Sequence, residues 1–223
     1  MVSNDFGSVE SGKVLVDVNT TWSTDGLVGW WKFDEGSGTV AYDSSGNGHH
    51  GNLTNGPTWT VGQIGGALSF DGVNDHVRIG NVLNNITDLS FSLWFKPASI
   101  PTHHGYMVFK QHTYALTLAS SGGVHLNFGN GSDWGNVNLG TSALELNKWY
   151  NVTATRESGV MKAFIDINLL ANKSYNTSSG SNVSALCVGG NGANSFNGLI
   201  DDVRIYDRAL SAAEVQALYN LGQ

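Results

Sequence analysis

The sequence predicts an all-β protein, a two-sheet antiparallel β-sandwich with one short C-terminal helix. Charged residues make up 13% of the chain and glycine 29 of its 223 residues, against about 25% and about 7% in ordinary domains. Few charges and many turn formers favour strands and tight turns over helices. Short runs of period-two hydrophobicity recur between Gly, Asn, Asp and Ser clusters, the pattern of antiparallel strands. There are about a dozen such runs, too many for one open sheet, so the strands must divide into two packed sheets. A single domain of this length buries roughly 70% of its unfolded surface, so neither disulfides nor metal are needed to form the core.

In chain order, Val14-Leu15-Val16-Asp17-Val18 alternates and is followed by polar residues through Asp25. Residues 1–25 read as an edge strand or linker from a preceding module, and residues 26–223 as the domain itself. In Trp30-Trp31-Lys32-Phe33, Trp31 and Phe33 share one face and Trp30 and Lys32 the other. Likewise Phe91, Leu93 and Phe95 oppose Ser92, Trp94 and Lys96. Further strand signals fall at Ala67 to Phe70, His76 to Ile79, Met107 to Lys110, Tyr114 to Leu118 and Val124 to Phe128. Others follow at Trp149 to Thr155, Val160 to Ile167, Leu186 to Val188 and Leu199 to Tyr206. Ser211-Ala212-Ala213-Glu214 is a capping box with Leu210 and Val215 placed as a hydrophobic staple, which predicts a helix covering an end of the sandwich.

The net charge of -7, with cations scattered along the chain, excludes a nucleic-acid partner. No apolar run reaches the ~18 residues of a spanning helix, so membrane insertion is not expected. The lone Cys187, in a strand-like run, reads as a buried small apolar residue and leaves no disulfide framework. Nucleophile motifs and phosphate loops are missing, and Glu145, Glu157 and Glu214 stand alone. Adjacent histidines, as in His49-His50 and His103-His104, point to opposite faces of a strand and make poor zinc chelators. The chain is therefore not expected to be an enzyme.

Four segments carry a family resemblance. They are Gly29-Trp30-Trp31-Lys32-Phe33-Asp34-Glu35-Gly36-Ser37-Gly38, Asp43-Ser44-Ser45-Gly46-Asn47-Gly48-His49-His50-Gly51, Gly65-Gly66-Ala67-Leu68-Ser69-Phe70-Asp71-Gly72, and Asn197-Gly198-Leu199-Ile200-Asp201-Asp202-Val203-Arg204-Ile205-Tyr206. In that order they resemble the laminin G-like, concanavalin A-like jelly-roll family. The resemblance implies a noncatalytic carbohydrate-binding module, a polysaccharide or glycan partner, and an extracellular or cell-surface setting as a monomer within a larger multidomain chain. A calcium-stabilised protein-adhesion or structural domain is the alternative. The resemblance also implies a structural Ca2+, with Asp201 a favoured ligand. The family's glycosidase motif, Glu-X-Asp-X-X-Glu, does not occur. Where the family often has Asp-Gly in a hairpin, this chain has Ile165-Asp166-Ile167-Asn168, and Asn168 is the residue expected to accept positive φ.

Calcium takes six to eight oxygen ligands, and Asp34, Asp43, Asn47, Asp201 and Asp202 offer them from three distant segments. If Val203 and Ile205 face the core, strand alternation puts Asp201 on the same side, where its charge needs compensation. Asp43 to Asn47 is equally readable as an Asx turn held by its own side chains, and Asp202 with Arg204 as a solvated ion pair. Sugar binding asks for aromatic faces beside hydrogen-bonding groups on rim loops. Trp134, among turn residues with Asn130 and Asp133, is one candidate platform, and the loop holding His103, His104 and Tyr106 is the other.

Overall fold

The computed structural model describes residues 22–84, 87–129, 144–174, 183–192 and 194–223, and the backbone of 134–138. The run Val14–Val18 lies outside the described residues. The described chain forms β1 (Leu27–Trp31), β2 (Val40–Ala41), β3 (Gly51–Thr54), β4 (Thr58–Val61), β5 (Gly66–Asp71), β6 (His76–Gly80), β7 (Leu89–Pro97) and β8 (His104–Lys110). It continues with β9 (Tyr114–Ala119), β10 (Val124–Gly129), β11 (Trp134–Asn138), β12 (Tyr150–Glu157), β13 (Val160–Ile165), β14 (Asn168–Ser174), β15 (Leu186–Val188), β16 (Asn197–Tyr206) and α1 (Ala212–Asn220).

These strands make two antiparallel sheets. Sheet A runs β14-β13-β12-β7-β16-β5-β4, with β1 also on β16, and sheet B runs β11-β10-β9-β8-β15-β6-β3-β2. Alternation fills the space between them. Trp31, Phe33, Phe91, Leu93 and Phe95 from sheet A share one buried core with Val77, Val108, Leu116, Leu118, Val124 and Leu126 from sheet B. The expected two-faced strands are thus borne out at Trp30–Phe33 and Ser90–Lys96, and the fold is the predicted jelly-roll sandwich.

The helix departs from expectation in position. Ser211 accepts from Glu214 N and the Glu214 carboxylate accepts from Ser211 N, so the capping box forms. Leu210, Val215 and Leu218 pack with Phe164 and Tyr206 in a second cluster, and Tyr219 stacks on Trp94 at 5.6 Å. Because Trp94 sits on the outward side of β7, α1 lies on the outer face of sheet A rather than closing an end. Trp22 joins the same face, meeting Trp30 edge-on at 5.1 Å, so packing begins before the expected boundary at Gly26.

Two turns also differ. Val160 to Ile167 is not one strand, because the chain reverses at Asp166 and Ile167, with φ of 47° and 68°. The positive φ therefore falls on these two residues and not on Asn168. Asp166 is held there by its side chain, which accepts from Asn151 N, and by its own N–H, which donates to Asn151 O. Trp134 is not in a loop: it opens β11, an edge strand, opposite Gly129 of β10.

Candidate functional site

The outer face of sheet B is built by the residues that alternate with its core. Val77, Leu116, Leu118, Leu126 and Leu186 point inward, which turns His76, Arg78, Thr117, His125, Asn127 and Cys187 outward. Strand register lines Asn52, Arg78, Cys187, Phe109, Ala115 and Asn127 into one row across six strands. Strand β8 breaks step between Tyr106 and Val108. Three residues apart, Tyr106 and Phe109 would face opposite ways in a regular strand; the bulge at Met107 puts both rings on the outer face. Their centroids lie 4.4 Å apart.

This ring pair floors a trough of about 490 Å3, walled by His76, Arg78, Gln111, His112, Ser184, Cys187 and Asn191. The volume is within the range of ~300–1,000 Å3 usual for ligand sites. Beneath the wall, the buried Lys110 ammonium donates to Asn81 Oδ1 and Ser184 O at 2.8 and 2.7 Å, and burial pulls it down to about 8. Burial likewise raises the Cys187 thiol to about 11. His104 continues the aromatic row, stacked on Tyr106 at 6.3 Å and 6.4 Å from His125. A second hollow of about 280 Å3 adjoins, where Asp71 faces Thr102, His103, His104, Asn194 and Asn197. Thr117 Oγ1 and Ser195 Oγ are buried without a protein partner among the described residues.

The predicted loop residues His103, His104 and Tyr106 thus meet around two adjoining hollows. Asn130, Asp133 and the side chain of Trp134 lie outside the described residues. Sequence reasoning missed Phe109, which it read as ordinary strand because the bulge that turns it outward has no local signature. It also missed Arg78, Gln111 and Asn191, which reach the trough only through the strand order β6-β15-β8.

The five expected calcium ligands do not form one group. Among the described residues, no cluster of three or more His, Cys, Asp or Glu is arranged to hold a metal. Asp43 accepts from Trp30 N, Ser45 N, Ser45 Oγ and His49 N. Burial opposes its charge, yet these hydrogen bonds outweigh that and hold its carboxyl below the ordinary range. The Asn47 amide donates to Leu27 O and Val28 O. The structure therefore has the self-held turn here, with both side chains committed.

Asp202 is also committed. It accepts from Trp30 Nε1 at 2.6 Å and pairs with Arg204 at 3.1 Å. The expected solvated pair is in fact buried, the side chains being 8% and 3% exposed, with the guanidinium between Trp22 and Trp30. Asp201 lies on the outer face of sheet A, not inward. A bulge between Asp201 and Arg204 resets the alternation, so Ile200, Val203 and Ile205 all reach the core while Asp201 pairs with Trp94. Its Oδ2 accepts from Ile64 N at 2.7 Å, and its buried Oδ1 has no partner among the described residues. Burial, with Asp202 and Asp34 nearby, raises this carboxyl to about 7. Asp34 accepts from Gly66 N at 2.7 Å, in the same loop. A side chain at Gly65 would collide with that carboxylate.

Comparison with known proteins agrees with this architecture. A family model described as the concanavalin A-like lectin/glucanases superfamily, of laminin G type, matches residues 70–216. No curated protein matches the chain. Among solved structures, domain 4 of AbnA, a GH43 extracellular arabinanase from Geobacillus stearothermophilus solved with arabinotriose, is similar at TM-score 0.72 and 24% identity, over 88% of this chain and 98% of that one. The binding domain of Paraclostridial Mosquitocidal Protein 1 matches at 0.73 and 18%, over 88% and 52%. Trypanosoma rangeli sialidase matches at 0.65 and 19%, over 87% of this chain but 32% of its own.

Proposed function

Because the chain belongs to the concanavalin A-like lectin/glucanase superfamily, we propose that it is a noncatalytic carbohydrate-binding domain of a secreted or cell-surface multidomain protein, acting through the outer face of sheet B. The observation that carries this reading is the Tyr106–Phe109 ring pair flooring a polar-walled trough. A pyranose or furanose ring presents an apolar face to such a platform and its hydroxyls to Gln111, Asn191 and the histidines. The similar arabinanase domain, solved with arabinotriose, supports the same ligand class. Among the described residues no carboxylate lines the trough and Asp71 alone lines the hollow beside it, so the paired acid and base of glycoside hydrolysis have no counterpart among them.

Calcium, the ion the family resemblance implies, finds a partial fit at Asp201. The unpartnered Oδ1 and the raised carboxyl both call for a cation, and Asp34 lies close enough to repel. Asp201 and Asp34 would hold the ion, with backbone carbonyls of the glycine-rich loop 62–66 completing its oxygen shell. Such an ion would supply the positive charge that the two carboxylates lack. Asp43, Asn47 and Asp202 are not part of this set, since protein groups already engage them.

The test is binding of the purified domain to immobilised plant, algal and host polysaccharides, with calcium and then with chelator. Tyr106→Ala and Phe109→Ala are each expected to weaken binding by about tenfold while the fold persists. If no polysaccharide binds the folded domain, protein adhesion takes over, and the free edge β14 with its exposed Leu169 and Leu170 is the surface to examine.

A further inference from the structure

We propose that the trough selects acidic saccharides, binding the carboxylate of a sugar acid through Arg78; this rests on the carbohydrate-binding reading. The first observation is a partition of charge. The chain carries eighteen acidic residues and a net charge of -7, yet none of the eight strands of sheet B contains an Asp or Glu. Residues 89–132 and 167–200, which supply β8, β9, β10 and β15, are likewise without one. Every carboxylate within a strand belongs to sheet A.

The second observation is the state of Arg78. Of the four arginines, Arg204 pairs with Asp202, Arg208 with Glu214 and Asp25, and Arg156 donates to Thr87 O. The Arg78 side chain is exposed in the trough wall, and its guanidinium makes no hydrogen bond or ion pair with another described residue. Its planar fork matches a carboxylate in bidentate fashion. The buried ammonium of Lys110 behind the Ser184 wall adds positive potential from the same side.

Geometry gives the two groups complementary tasks. Arg78 and Phe109 lie in one cross-strand row with Cys187 between them, so their backbones are about 10 Å apart, two strand spacings. A sugar ring resting on Tyr106 and Phe109 therefore has its exocyclic carboxylate within reach of the guanidinium. A neutral sugar would use the platform and leave Arg78 idle.

Uronic acids within a polysaccharide and terminal sialic acids share this chemistry, and matched probes separate them. Polygalacturonate is compared with its methyl ester, and sialyllactose with lactose, by titration calorimetry on the intact domain. The expected result is that one acidic member binds at least about tenfold tighter than its neutral partner, that rising salt erodes the difference, and that Arg78→Gln abolishes it by weakening the acid far more than its neutral partner. Arg78→Lys should recover part of the preference, because it keeps the charge without the fork. Equal binding within both pairs, acid with ester and sialyllactose with lactose, or a preference that Arg78→Gln leaves intact, overturns the proposal and leaves the sugar-binding reading standing. Failure of every sugar to bind a folded domain overturns both.

Discussion

At the scale of residues, the outer face of sheet A is organised by charges that water cannot reach. Asp202 adopts φ of 49°, a costly conformation for a residue with a Cβ, and is held there by Trp30 Nε1 and Arg204. Removing it leaves a guanidinium buried between two indoles, so Asp202→Ala should cost about 3–5 kcal/mol in urea unfolding. A loss under 1 kcal/mol would mean the pair is hydrated after all. Asp201 gives a pH signature. Burial raises its folded-state carboxyl to about 7 from an ordinary 3.8, so the folded state keeps a proton that the unfolded chain releases. That contribution to stability is complete below about pH 4 and disappears as pH rises through about 7. In chelator the melting temperature should therefore fall between about pH 4 and pH 7, with Asp201→Asn flattening the slope and calcium restoring stability at the upper end. A wild-type profile no steeper than that of Asp201→Asn would refute the assignment.

At the scale of elements, the helix and the β13–β14 hairpin contrast in how much their sequence declares. The capping box at Ser211 and Glu214 was legible because it is local: four consecutive residues satisfy one another's hydrogen bonds. Its loss in Ser211→Ala should cost about 1 kcal/mol, lowering the melting temperature by roughly 2–4 °C. The hairpin's place was legible by resemblance but its conformation was not, because Ile167 is β-branched and its φ of 68° is imposed by the register and by Asp166 gripping Asn151. Ile167→Gly relieves that conformation and should stabilise the domain by roughly 0.5–1 kcal/mol; a destabilised variant would show that the half-exposed side chain contributes more than the strain costs. Strands β3 and β4 escaped notice for another reason, being short and polar at the margins of their sheets. The bulge in β8 also has no local mark, although it is what turns Phe109 onto the outer face of sheet B.

At the scale of the whole molecule, the two sheets have separate chemistry. Sheet A carries the strand carboxylates, the helix and the buried ion pair, while sheet B carries His76, His104, His125, Arg78 and the aromatic trough. The sandwich itself could be read from alternation and from four family segments, because a core-facing period of two is written into every strand. The trough could not, since His76, Arg78, Tyr106, Phe109 and Asn191 converge only through a strand order that places β15 between β6 and β8. Sequence reasoning named the part of the lining that lies in one stretch, His103 to Tyr106, and named Trp134 for its turn-rich neighbours; Trp134 opens an edge strand. The measurement that tests the account most directly is residue-by-residue amide chemical-shift mapping of the domain titrated with oligogalacturonate and, separately, arabinotriose. Shifts concentrated at residues 76–78, 104–112 and 184–195 would place the glycan on the outer face of sheet B as proposed. Shifts centred on β14, on the Trp22–Trp30 cluster or near Trp134 alone would contradict it.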